Sequence, residues 1–233
     1  MENNEKYYHL IQPYIEREKS TCSYCDRLDP LILYYGDDFY ITNVIGAYMP
    51  GYVQLCSYEH RTSITGILPT EYEEFEYLLS CIRKAFKQVY GTGGICFEHG
   101  QAGSCMYTEN HINSLCHHMH VHCLPVEIDI HQDIVSIAKE YTEVKNINDM
   151  VHYRNEILRG GAYLYFSPTQ DTAFMYNVLN ESVPRQFLRK CVARKLNIIE
   201  KADWIKYPGV EYYAQTILDL KSILEEIIRS GLN

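Results

Sequence analysis

Apolar positions recur in this chain with two periods, every three or four residues in some stretches and every second residue in others. Tyr7, Leu10, Ile11, Tyr14 and Ile15 follow helical spacing and run into the charged stretch Glu16 to Lys19, predicting a short amphipathic helix over 5–18. The clearest helix is 70–89, where Tyr72, Phe75, Leu79, Ile82, Phe86 and Val89 form one stripe, Thr70 and Glu73 have capping-box spacing, and Gly91 and Gly93-Gly94 end the run. Phe39 to Val44 and Tyr52 to Tyr58 are rich in aromatic and β-branched residues, and Met49-Pro-Gly51 lies between them. They read as neighbouring antiparallel strands. Further strands are expected at Ile95 to Glu98 and His118 to Val126, with a polar loop over 101–116 between them.

The second half predicts helical stretches near 131–140 and 147–157 and a hairpin of Ala162 to Ser167 with Thr172 to Val178 across Pro168-Thr-Gln-Asp171. Ser182 and Pro184 open a helix to about Leu196, and Val210, Tyr213, Ile217, Leu220, Leu224 and Ile227 mark a long final one. Repeats, low-complexity tracts and Gly/Ser linkers are absent from the sequence. This predicts residues 131–233 to be an extension packed on a core of 1–130 rather than a tethered second domain.

At 233 residues, 46% hydrophobic and 22% charged, the chain can bury one substantial core. A formal charge of −9 argues against a general nucleic-acid binder, whose phosphate contacts need a basic face. The opening MENNEKYYHL has neither the basic segment nor the apolar run of a signal peptide, and no stretch reaches the length of a bilayer span. The expected location is therefore cytoplasmic, with no membrane partner. Nine scattered cysteines then read as free thiols or metal ligands, not as a disulfide framework.

The candidate chemistry centres on Cys116-His-His-Met-His-Val-His-Cys-Leu-Pro125. His118, His120 and His122 alternate with apolar Met119, Val121 and Cys123, so period two puts three imidazoles on one face of a strand. Imidazoles are poor core material because each nitrogen must be satisfied when buried. The alternation also separates this cluster from a tag-like run of histidines. Two chemistries remain open at this point: chelation of a metal by imidazoles at i and i+2, and attack on phosphorus by a neutral imidazole whose other nitrogen keeps its proton.

The segment His118-Met-His-Val-His-Cys-Leu124 resembles the histidine-triad (HIT) family motif, HφHφHφφ with φ apolar, at every position. The order of features agrees over about residues 20–127: the CxxC of Cys22-Ser-Tyr-Cys25, a strand, a Pro-Gly turn, a strand ending at Tyr58-Glu-His60, a long helix, a strand, a loop and the triad strand. The resemblance implies an α+β fold, an antiparallel sheet of about five strands with the long helix across it. It implies a nucleotide substrate, with His120 the nucleophile at the α-phosphorus, His122 stabilising the phosphoryl oxygens or assisting the leaving group, and His118 orienting its neighbours. It further implies a structural zinc held by Cys22, Cys25, His60 and His118, a closed tetrahedral set of two thiolates and two imidazoles. Family enzymes are often dimers, so a homodimer is an expectation too.

The sequence departs from the family in several places. Glu98-His-Gly100 stands where Asn-x-Gly is usual, which makes His99 the expected phosphate-contacting residue. The usual Gln-Ser before the triad reads Asn113-Ser114-Leu-Cys116, leaving Asn113 and Ser114 as the polar candidates, and Pro-Gly-His reads Pro50-Gly-Tyr52. Asn43 ends the first core strand where the family places a polar residue against the ribose, although an Asn before a turn is commonplace. The segment Val183-Pro-Arg-Gln-Phe-Leu-Arg189 resembles a site-facing stretch of a bacterial or phage-type branch, with Arg185, Gln186 and Arg189 expected near phosphate at a helix N-terminus. A solvated surface is the plainer reading of those arginines. Cys105, His111, Cys116 and His117 could hold a second metal, although four such residues in one loop are a weak signal. Trp204 and the tyrosines could stack on a base, with core or surface packing the plainer role for these aromatics.

The leading expectation is thus a HIT-type nucleotide hydrolase or nucleotidyltransferase acting on a dinucleoside polyphosphate, a phosphoramidate or a similar substrate. A third histidine at His122, where transferase branches of the family usually carry glutamine, favours hydrolysis. The alternatives are a hydrolase with an open catalytic metal on the histidines, for which the nearest carboxylates are Glu127 and Asp129, and a non-catalytic nucleotide-binding protein.

Overall fold

In the computed structural model, which describes residues 2–16, 22–100, 118–179 and 182–231, eight strands make one antiparallel sheet. They are β1 (Ile32–Tyr35), β2 (Phe39–Asn43), β3 (Val53–Ser57), β4 (Ile95–Gly100), β5 (His120–Leu124), β6 (Glu140–Glu143), β7 (Tyr163–Ser167) and β8 (Phe174–Asn177). Their spatial order is β1-β2-β3-β5-β4-β7-β8-β6. The expected β2–β3 neighbours and the β7–β8 hairpin both form, in antiparallel register.

The expectation of about five strands is corrected to eight. Strands β1 to β5 account for the smaller number, but β4 would then present a row of unpaired backbone groups. The hairpin of the second half covers that edge, pairing Cys96 with Ser167 through Gly100 with Tyr163. Strand β6 then pairs with β8. Its chain had been expected to continue a helix over 131–140. Instead the helix stops at Val135, and Lys139 N–H already donates to the Asn177 carbonyl, starting the ladder.

One face of the sheet is covered by the long helix α3 (Tyr72–Tyr90), by α5 (Ile147–Glu156) and by the final helix α7 (Tyr213–Gly231). Phe75, Leu78, Ile82 and Phe86 of α3 pack with Ile41, Leu55, Val121 and Cys123 of the sheet and with Leu220, Leu224 and Ile228 of α7. Phe75, Ile82 and Phe86 belong to the stripe read from the sequence, Leu78 joins them in the core, and Tyr72, Leu79 and Val89 of that stripe are partly buried against it. The helix entrance differs from the expected Thr70/Glu73 box. The Glu71 carboxylate accepts the Leu68 N–H at 2.6 Å and pairs with Arg61.

The opposite face divides in two. Over β4, β7 and β8 it is covered by α4 (His131–Val135) and α6 (Phe187–Lys195), through Ile134, Leu188, Cys191 and Val192 against Phe97, Leu164, Phe166 and Tyr176. Over β2, β3 and β5 it carries Thr42, Gln54, His120 and His122. The first helix is α1 (Glu2–Ile15); the short helix α2 (Ser23–Asp26), with Cys22 just before it and Cys25 within it, lies on this face too.

The second half grips the turn between β2 and β3 closely. The Gly46 N–H donates to the Pro208 carbonyl at 2.7 Å, and Gly209, with φ +76°, sits where a Cβ would meet the Ala47 carbonyl oxygen at 2.0 Å. Only glycine fits there. Among the described residues no helix is long and apolar enough to cross a membrane.

Glu98 of β4 points into the core, where the Ile64 N–H donates to its carboxylate at 2.9 Å and the Tyr163 hydroxyl at 2.6 Å. Burial pushes its pKa from the usual 4.5 up to about 8, against the pull of those two donors. Between those values the folded chain holds a proton that the unfolded chain has released, so stability falls as pH rises through the window. Urea unfolding between about pH 5 and about pH 8 should therefore show Glu98→Gln losing less stability than wild type, by on the order of a few kcal/mol. Parallel pH profiles for the two proteins would rule out this assignment.

Candidate active site and metal centre

Alternation along β5 places Val121 and Cys123 in the core and His120 and His122 on the opposite face. Antiparallel pairing sets Gln54 beside His122 and Cys56 beside His120 on one flank, and Phe97 beside His122 on the other. Phe97 stacks on the His122 ring at 4.9 Å and 20°.

His118 lies just before β5, anchored where the Met119 N–H donates to the Arg61 carbonyl at 2.6 Å. Its Nε2–H donates to the Ser57 carbonyl at 2.7 Å, which leaves Nδ1 as the lone-pair nitrogen. That nitrogen is 3.6 Å from Cys22 Sγ and 3.5 Å from Cys25 Sγ, while His60 Nδ1 is 3.1 Å from Cys25 Sγ. One ligand atom from each of the four residues lies within 4.8 Å of the others. Zinc bonds of about 2.3 Å to sulfur and about 2.0 Å to nitrogen at a tetrahedral angle put S and N about 3.5 Å apart, so the donor set fits the metal. The Ser57 carbonyl is the outer partner that such a histidine needs to hold its tautomer. Burial, with Cys22 close by, pushes the Cys25 thiol up to about 11, and a divalent cation among the ligands would reverse this.

His120 uses the same segment differently. Its Nδ1–H donates to the His118 carbonyl at 2.7 Å, so the unprotonated nitrogen is Nε2. Tyr24, between the two cysteines of the CxxC, lies flat on this ring at 4.8 Å and 13°. His122 stands edge-on to His120 at 5.0 Å, with Tyr52 Oη 2.8 Å from its Nδ1. Burial lowers the pKa of His120 to about 4 and that of His122 well below its ordinary value, so both rings are neutral near pH 7.

Beside the triad a cleft opens between α2 and β2, lined by Tyr24, Leu28, Leu31, Thr42, Asn43, Ile45 and Gln54. The Asn43 amide donates to the Leu31 carbonyl at 3.3 Å, whereas its buried Oδ1 has no partner among the described residues. A buried acceptor of this kind favours a ligand that brings a donor. His99 lies on β4 two residues from Phe97, hence on the triad face.

The segment from the second half divides its roles. Arg189 is buried, and its guanidinium donates to the carbonyls of Gly46 and Ala202 and, at 3.1 Å, to Tyr52 Oη. It meets the triad through Tyr52. The Gln186 amide, in the orientation that satisfies both partners, bonds the Ala202 carbonyl and the Trp204 indole N–H. Arg185 is half-buried, with Nε and Nη2 unpartnered among the described residues. Asn113 and Ser114, and the loop ligands Cys105, His111, Cys116 and His117, lie outside the described residues.

Reading the sequence did not single out Tyr24, Gln54 or Phe97, and named Tyr52 only as a departure. Tyr52 and Gln54 alternate towards the triad face, a signal that becomes visible once β3 is paired with β5.

No protein-family model matches this chain, and no curated protein matches it. Among solved structures it is similar to a Hit-like protein involved in cell-cycle regulation from Bartonella henselae, at 14% identity over 48% of this chain and 75% of that one, with a TM-score of 0.28. A likeness this loose carries no weight. The fold rests on the strand order and the site on its distances.

Metal analysis of the purified protein should find one zinc per chain, lost in Cys22→Ser together with a lower thermal midpoint, because binding energy at such a site is folding energy. A Cys22→Ser protein with unchanged metal content would exclude the four-ligand centre.

Proposed function

We propose that this protein is a histidine-triad nucleotide hydrolase or nucleotidyltransferase whose nucleophile is His120 Nε2. The observation that carries this reading is the 2.7 Å bond from His120 Nδ1–H to the His118 carbonyl. It fixes the tautomer a nucleophilic imidazole needs, with one nitrogen protonated and held and the other bearing its lone pair at the site. The low basicity of the ring keeps that lone pair free of a proton at neutral pH.

In the first step Nε2 attacks the α-phosphorus. A P–N bond forms, the bond to the leaving group breaks, and the leaving group departs with the electron pair. Water or another acceptor then attacks the same phosphorus, losing a proton to the solvent, and the electron pair of the P–N bond returns to His120 Nε2. The His122 Nε2–H would donate to the non-bridging oxygens as charge builds on them, the kind of preorganised donor that lowers such barriers. The cleft beside Tyr24 would take the nucleoside, with Asn43 Oδ1 accepting from a ribose hydroxyl, and His99 and Arg185 on the phosphate side. Bound zinc would supply structural cross-linking between α2 and the start of the triad strand.

A metal-dependent hydrolase is the weaker reading. With a metal bound, Cys22, Cys25, His60 and His118 would complete a tetrahedral set without an open position, and His118 cannot serve an open metal with His120 while its Nδ1 faces the thiols.

Incubation with adenylylated and guanylylated compounds, followed by mass spectrometry, should reveal a nucleotidyl adduct on His120. His120→Ala should lose both adduct and turnover, leaving zinc content unchanged. Retained turnover in His120→Ala would eliminate His120 as nucleophile.

A further inference from the structure

We infer that Tyr52, braced by Arg189 from the second half of the chain, is a positioning residue that holds His122 as an Nε2–H donor, so that the triad is completed by residues far outside its own motif. This rests on the proposed nucleotidyl-transfer reading for its catalytic consequence, though not for its geometry.

The proton inventory is the basis. A guanidinium only donates, so the 3.1 Å contact from Arg189 Nη1 makes Tyr52 Oη an acceptor on that side. The hydroxyl has one proton left to place. Tyr48, the other hydroxyl nearby, makes no hydrogen bond of good geometry among the described residues and is the donor in its looser interaction with Tyr52, whereas His122 Nδ1 is 2.8 Å away. The Gln54 amide nitrogen lies 3.4 Å from both His122 ring nitrogens and so singles out neither; the shorter Tyr52 contact decides, so the Tyr52 proton goes to Nδ1 and the His122 proton sits on Nε2. Burial pushes the Tyr52 hydroxyl up to about 12, with Arg189 pulling the other way, so that proton is present at neutral pH.

The chain of donors is rigid at each link. Tyr52 is fully buried, and its ring packs against Tyr48 at 4.9 Å. The Arg189 guanidinium lies over both rings, at 5.2 Å from Tyr48 and 5.5 Å from Tyr52. Its Nε and Nη2 donate to the carbonyls of Ala202 and Gly46. Phe97 clamps the face of His122, so rotation about χ2 is restrained by stacking and by the Tyr52 bond together. The arrangement also accounts for a buried arginine beside a catalytic histidine: it polarises the hydroxyl without competing for phosphate.

Tyr52→Phe removes one oxygen and keeps the ring, and Arg189 is left intact because its loss would unpair buried carbonyls. In protein labelled with 15N-histidine and loaded with zinc, the wild-type His122 should be the neutral Nε2–H tautomer with a hydrogen-bonded Nδ1. In Tyr52→Phe the Nδ1 resonance should move to the position of an unbonded nitrogen. With a nucleotide found to label His120, kcat should fall about 10- to 100-fold, the scale of losing a histidine's orienting partner, with KM and zinc content little changed. A wild-type Nδ1–H tautomer, an Nδ1 resonance identical in the two proteins, or an unchanged kcat overturns the inference. If no nucleotide labels His120, the functional reading fails, while the Nδ1 resonance still decides the positioning role.

Discussion

Everything in the site depends on how His118 is held. Its Nε2–H is given to the Ser57 carbonyl, its Nδ1 is turned to Cys22 and Cys25, and its own carbonyl receives the His120 Nδ1–H. One residue thereby joins a four-donor cluster to the tautomer of the neighbouring ring. A shift of the main chain at 118 would move both together. The helix α2 reinforces the link, because the CxxC that supplies the thiols also carries Tyr24, which lies on His120 and reaches Gln54 through its hydroxyl. The four-donor cluster, strand placement and the orientation of the imidazole are thus parts of one mechanical unit.

Much of this was legible in the sequence because it is local. Alternation of His118, His120 and His122 with apolar residues sets the face of β5 before any tertiary contact forms, and the stripe of α3 identifies the helix that covers the other face. The pairing of Cys22 and Cys25 with His60 and His118 came from a resemblance, and the four side chains do converge. Contacts between distant segments were not legible. The edge of β4 has no mark in its own sequence that says residues 163–167 will cover it. The spacing of Ile130, Ile134 and Ile137 looks helical well past Val135, where the chain instead turns to join β8.

Arg189 shows the same limit at the level of chemistry. Arginines four apart near a helix start suggest phosphate binding from spacing alone, yet Arg189 spends its donors on two carbonyls and a tyrosine. The constraint that takes it inside is the tight contact of Gly46 and Gly209 with neighbouring backbone, which draws the 202–209 segment over the β2–β3 turn. The second half therefore both completes the sheet and supports the triad. Its fold and the site's electrostatics are not separable.

The central claim, that phosphorus is attacked by His120 rather than by water, is tested most directly by stereochemistry. A nucleotide ester made chiral at the α-phosphorus with sulfur, cleaved in 18O-labelled water, reports the number of in-line displacements. Two displacements, through His120 and then water, yield net retention of configuration, which is the expected result. Net inversion would mean a single direct attack by water and would contradict the nucleotidyl-histidine route.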